Sequence, residues 1–152
     1  MFENFSNWLR HRREDSARFR GTMPQGLLPD RQKMYGFDRY PCPCCGLPSI
    51  DEPGIYDICA VCWWEDDGHD GLSAFSPNRI PLLEARANFS AHFTMFAPGL
   101  EPEGIADTPE QRERKRLLVA LFEQLRSDTD SGSQDWIQVE IERGIAEIQR
   151  LR

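Results

Sequence analysis

No stretch of this chain is apolar for anything near the about 20 residues that a membrane-spanning helix requires. A mean hydropathy of −0.59 and 28% charged side chains describe a polar, water-compatible protein. The opening residues, Met1-Phe2-Glu3-Asn4-Phe5, lack the basic cap and apolar stretch of a secretory leader, so the sequence predicts a cytoplasmic protein. Catalytic signatures are missing as well. There is no His-Glu-x-x-His, no phosphate-cradling glycine loop and no nucleophile elbow, and His11, His69 and His92 keep no ligand spacing with one another. Internal repeats are absent. Positive charge is scarce in the middle: residues 41–107 hold two basic side chains, Arg79 and Arg86, against eleven acidic ones. The flanks are nearly balanced, residues 1–40 at +3 and residues 108–152 at −1, within a net charge of −7. Nucleic acid asks for the opposite sign. An acidic centre suits a basic protein partner better.

What the middle has is cysteine. All five lie between Tyr40 and Gly68, and four of them read as Cys42-x-x-Cys45 and Cys59-x-x-Cys62, with 13 residues between the pairs. In a reducing compartment such pairs read as metal ligands rather than disulfides. Each pair can form a knuckle, a tight turn whose amides point at a thiolate. Gly46 supplies the left-handed position that such a turn needs, and Pro43 pre-sets a turn dihedral. Leu47 to Ile50 and Ile55 to Ile58 read as short strands joined by Asp51-Glu52-Pro53-Gly54, so a compact hairpin is expected to carry the chain from one knuckle to the next. Zinc is the expected ion, held by Cys42, Cys45, Cys59 and Cys62. Four thiolates leave no coordination position for water, which makes the site structural rather than catalytic. Cys44 is left over as a non-ligand thiol. A treble clef is the alternative arrangement, with Cys59 and Cys62 opening a helix whose first turn is Trp63 to Asp67.

The run Tyr40 to Gly46, the Cys59-x-x-Cys62 pair, Trp64-Glu65-Asp66-Asp67-Gly68 and Leu82-Leu83-Glu84-Ala85-Arg86-Ala87-Asn88-Phe89 together resemble the bacterial cysteine-rich CPCC domain family. Leu83 departs from that pattern, standing where the family often has Glu. The resemblance covers about residues 38–95. It implies a small bacterial zinc-binding domain and brings no activity with it.

Around this module the chain reads as helical. Phe2, Phe5, Trp8 and Leu9 suggest an amphipathic helix within residues 2–20, followed by a Gly- and Pro-punctuated connector. Leu82, Ala85, Phe89, Phe93 and Phe96 form a helical stripe that Pro98-Gly99 stops. Thr108, Pro109 and Gln111 spell a capping box and first turn, opening a helix over 108–126 with an apolar face of Leu117, Leu118, Leu121, Phe122 and Leu125. A polar loop precedes a last helix from Asp135 to Arg152, with Ile137, Ile141, Ile145, Ile148 and Leu151 on one side and Gly144 placed for a close crossing. The expected architecture is α+β, mostly α by content. It has an N-terminal helix and connector (1–37), a zinc-ribbon-like hairpin module packed with a helix (38–97) and a C-terminal antiparallel helix pair (98–152).

Glu65, Asp66, Asp67, His69 and Asp70 make a dense acidic run beside the cysteines. A metal-dependent hydrolase could use such a run, but a partner-facing rim formed by Glu65, Asp66, Asp67 and Asp70 fits the absent catalytic motifs better. Trp63 and Trp64 read as cover for the sulfurs. The patch Arg112, Arg114, Lys115, Arg116 reads as a solvated helix face, and a nucleic-acid-binding accessory protein would have to assemble it with the N-terminal arginines. The expectation is therefore a non-enzymatic, zinc-binding interaction protein, in its specific form an immunity or antitoxin protein that covers a basic toxin.

Overall fold

A computed structural model of the chain describes residues 26–73, 76–128 and 130–152. The expected N-terminal helix over 2–20 lies outside the described residues. Four very short strands come first: β1 (Tyr40–Pro41), β2 (Pro48–Ile50), β3 (Asp57–Ile58) and β4 (Glu65–Asp66). β1 pairs antiparallel with β2, and β3 with β4.

The strands at 48–50 and 57–58 are thus present, but they do not pair with each other as expected. Each belongs to a hairpin whose turn is its own CxxC knuckle. The physical reason lies in the knuckle. Cys42 N donates to Leu47 O at 2.8 Å and Gly46 N to Cys42 O at 2.9 Å. In the second knuckle, Cys59 N donates to Trp64 O at 2.9 Å and Trp63 N to Cys59 O at 3.0 Å. The same ring of bonds closes at the same offsets in both places, and each closure lays the flanking segments antiparallel. The position four residues after the first cysteine is left-handed in both, with φ of 79° at Gly46 and 75° at Trp63. Gly46 adopts it freely, whereas Trp63 holds it at a cost of about 1–2 kcal/mol. The chain after Cys62 enters β4, so the treble-clef helix does not form.

Three helices follow among the described residues: α1 (Leu82–His92), α2 (Pro109–Ser127) and α3 (Ser131–Arg150). α1 ends at His92, six residues before Pro98. Phe93 turns left-handed at φ 63° and donates its N–H to Phe89 O, which sends Thr94 and Met95 back into the interior. There Met95 N reaches Cys62 O at 3.0 Å, and Asn88 Nδ2 holds Met95 O at 2.9 Å. α2 opens on the expected capping box: Thr108 Oγ1 accepts from Gln111 N at 3.1 Å, and Gln111 Oε1 accepts from Thr108 N at 2.8 Å. α3 begins four residues earlier than Asp135, because the Asp130 carboxylate accepts from Gly132 N and caps it.

α2 and α3 run antiparallel, with the start of α2 meeting the end of α3 through Gln111 and the Leu151 carbonyl. Their seam buries Leu118 and Leu125 against Ile137, Ile141, Ile145 and Ile148. A Cβ at Gly144 would sit 3.1 Å from Leu118 Cδ1, so the glycine permits the close crossing. Leu117, expected on the apolar face, is instead exposed. Lys115 takes the opposite course. Its neighbours in sequence place it in a solvated basic patch, but it is fully buried, donating to Asp107 Oδ2 at 2.6 Å and to Phe93 O at 3.0 Å. It lies four residues after Gln111 and three before Leu118, on the stripe that faces the body. One apolar cluster joins the cysteines, Trp64, α1 and the helix pair. Among the described residues no helix is long and apolar enough to cross a membrane.

Candidate metal centre

The two knuckles face each other and bring the Sγ atoms of Cys42, Cys45, Cys59 and Cys62 within 4.8 Å of one another, all four buried. Across the knuckles, Cys42 Sγ lies 3.6 Å from Cys62 Sγ and Cys45 Sγ 3.7 Å from Cys59 Sγ. A tetrahedral ion with metal–sulfur bonds of about 2.3 Å spaces its ligand sulfurs about 3.8 Å apart. The cluster therefore has the size of a four-thiolate metal site.

The surroundings suit thiolates. Val61 N and Cys62 N point at Cys59 Sγ at 3.4 and 3.5 Å, Trp64 N lies 3.5 Å from Cys62 Sγ, and Ser49 Oγ sits 2.9 Å from Cys59 Sγ. Such donors spread the negative charge of a sulfur ligand and fix its direction. Without a cation the set cannot ionise together. Burial pushes the Cys42, Cys45 and Cys62 thiols well above the usual range. At Cys59 burial also acts upward, but hydrogen bonds from the other three thiols and from Ser49 together outweigh it and hold the group well below that range. Burial therefore opposes ionising the sulfurs as a group, and a divalent ion among them removes that penalty. Cys44 is buried but stands outside the converging set, and burial raises its thiol.

The acidic run does not form one surface. Asp66 is fully buried and ion-paired with Arg31, and it also accepts from Gly68 N at 3.1 Å and Gly54 N at 3.3 Å. Arg31 in turn donates to Pro41 O at 3.0 Å, so Asp66 ties β4 to β1. It is not available to a partner, because its carboxylate is consumed inside. Glu65 is half-buried, its backbone held from both sides by Asn78 at 2.8 Å. Asp67 and Asp70 cap local turns at His69 N and Leu72 N, both at 3.0 Å. Trp64 is buried in the core against Cys62, while Trp63 is half-buried under the guanidinium of Arg152.

Several residues that shape the site stand outside the cysteine pattern. The sequence marks Ser49 only as part of a strand. Arg86 Nε donates to Pro43 O in the first knuckle at 2.8 Å, a contact that its place in the Leu-x-x-Ala-Arg run does not specify. Arg152 reaches the second knuckle from the far end of α3, and no local pattern announces it.

Two hairpins, each turned by a CxxC knuckle and joined by four converging sulfurs that could hold a metal ion, define a small module packed against helices. Residues 40–98 match the family model described as Cysteine-rich CPCC, so the segment from β1 to just past α1 is similar to the cysteine-rich CPCC module, and the helix pair lies beyond the match. No curated protein and no solved structure matches the chain.

Proposed function

We propose that the chain is a non-enzymatic interaction protein of the cytoplasm in which Cys42, Cys45, Cys59 and Cys62 hold one structural Zn2+. The observation that carries this reading is the convergence of four buried sulfurs at tetrahedral spacing. An ion with four protein ligands has no vacant position for water or substrate, and zinc in such sites stabilises the fold. Elemental analysis of the purified chain tests it: one zinc per chain is expected, and a metal content below about one-tenth of that refutes it.

In its specific form the reading is an immunity or antitoxin protein that covers a basic bacterial toxin. Two features support it. The middle of the chain is strongly acidic. In addition, Ile55, Tyr56 and Ile58 are all more than half exposed, beside exposed Asp51 and Glu52 and half-buried Asp57. Exposed apolar anchors beside several acids suit a cationic protein surface, although Arg39 already pairs with Asp51 at 3.1 Å. Glu65, Asp67 and Asp70 can extend that rim, without Asp66. Co-expression with the product of an adjacent gene is the test. Relief of that product's toxicity supports the reading, and undiminished toxicity with no complex at low salt removes it. Nucleic acid is the weaker alternative, since Lys115 is withdrawn from the basic patch and Arg114 and Arg116 are ion-paired with glutamates.

A further inference from the structure

The amides that point at Cys59 Sγ belong to Val61 and Cys62. Each is one end of a planar trans peptide, so the other end, the carbonyl of Ala60 and of Val61, points away from the sulfur. Arg152 takes both carbonyls: Nε and Nη2 donate to Ala60 O at 3.0 and 2.7 Å, and Nη2 donates to Val61 O at 3.1 Å. The guanidinium is itself held in place. It lies over the Trp63 ring at 4.1 Å from the centroid, and Nη1 meets Asp107 Oδ1 at 3.3 Å. Asp107 is in turn fixed by the buried Lys115. At the equivalent place in the first knuckle, the residue after the first cysteine is Pro43, and its carbonyl accepts from buried Arg86 at 2.8 Å.

We infer that Arg152 is a positioning residue of the metal centre, acting through the Ala60–Val61 and Val61–Cys62 peptides on the Cys59 sulfur, as the counterpart of Arg86 on the first knuckle. A cation on a peptide oxygen polarises the same peptide's N–H, and the bonds in this series run from the Arg152 guanidinium to the buried Cys59 sulfur. Four thiolates around a divalent ion carry a formal charge of about −2, and two arginines, one per knuckle, balance it. On this account α2 and α3 are part of the metal site's outer structure although they lie beyond the matched module, because α3 delivers Arg152 and α2 delivers Lys115. The inference rests on metal occupancy of the four cysteines, and the zinc content of the unaltered chain, measured first, tests that separately.

The experiment compares the zinc-loaded full chain with Arg152→Ala, Arg152→Lys and, as a control, Arg116→Ala, which removes an exposed pair with Glu113. Zinc transfer to a chromogenic chelator is timed, and a limiting dose of a thiol alkylator is mapped by mass spectrometry. Loss of outer contacts to a metal ligand weakens retention by about 10–100-fold, so Arg152→Ala is expected to release zinc at least about tenfold faster, with Cys59 alkylated ahead of Cys42 and Cys45. Arg152→Lys keeps the charge but loses the planar fork, and is expected to show the same Cys59 selectivity with a smaller acceleration. Arg116→Ala behaves as the unaltered chain. A release rate within about twofold of the unaltered chain overturns the inference. So does faster release with alkylation spread evenly over all four ligands, because a merely loosened helix pair would produce that.

Discussion

Replacing Asp66 with alanine separates an acid that holds the fold from the acids around it. The side chains of Asp66 and Arg31 are 0% and 4% exposed, so the pair is cut off from solvent. Asp66→Ala leaves the Arg31 guanidinium buried, with the Pro41 carbonyl on β1 as its remaining hydrogen-bond partner among the described residues, and it strips Gly54 N and Gly68 N of their acceptor. Removing one member of a buried ion pair costs about 3–5 kcal/mol, because the remaining charge keeps its desolvation penalty. That is a large part of the about 5–15 kcal/mol that holds a domain folded. The neighbour Asp67 mainly caps a turn at an exposed histidine, and Asp67→Ala is expected to cost about 1 kcal/mol. Urea unfolding of the metal-loaded protein, followed by tryptophan fluorescence, measures both. The double variant Arg31→Met, Asp66→Leu is expected to recover much of the loss, since apolar residues of similar volume substitute for a buried pair at little net cost. A difference between Asp66→Ala and Asp67→Ala of less than about 0.5 kcal/mol refutes the reasoning.

Metal removal by a strong chelator is expected to dissolve both hairpins, read as loss of the near-ultraviolet signal of Trp64, which is buried beside Cys62. Acid has the same direction of effect. Cys42, Cys45 and Cys62 keep their protons up to high pH when no cation is present, so binding must expel protons. Metal affinity then rises with pH and falls as the solution is acidified, which competition titrations at stepped pH values check. Thr108→Ala breaks the capping box of α2 and is expected to cost about 1 kcal/mol in thermal unfolding. Gly144→Val places branched carbons where Leu118 Cδ1 already lies 3.1 Å from a Cβ position. It is expected to cost about 1–3 kcal/mol by forcing α2 and α3 apart, and an unchanged melting temperature would show that the crossing is looser than this.

The cysteine pairs were legible because ligand chemistry is local. A CxxC turn has few conformations, and two of them side by side make a four-sulfur site whatever lies between. The capping box of α2 was legible for the same reason, since Thr108 and Gln111 satisfy each other within one turn. Strand pairing was not. Asp51-Glu52-Pro53-Gly54 has the composition of a hairpin turn, but the bonds from Cys42 to Leu47 and from Cys59 to Trp64 direct each strand to a partner on the other side of its own knuckle. The end of α1 was not legible either, since the Met95 amide bonds to Cys62 O well before Pro98 can act as a stop.

Local sequence by itself therefore determined the four converging cysteines, the mixed α+β character and the helix pair, because each depends on contacts within a few residues or on a period of one helix. Only the tertiary structure decided what the charged residues do. Asp66 sits among Glu65 and Asp67 with nothing in the sequence to mark it, yet Arg31 draws it inside. Lys115 sits among arginines, yet Asp107 and the Phe93 carbonyl bury it. Arg152 bonds to carbonyls 91 and 92 residues away. A charge's energy depends on its burial and on the partner it meets, and both are set by how distant segments pack.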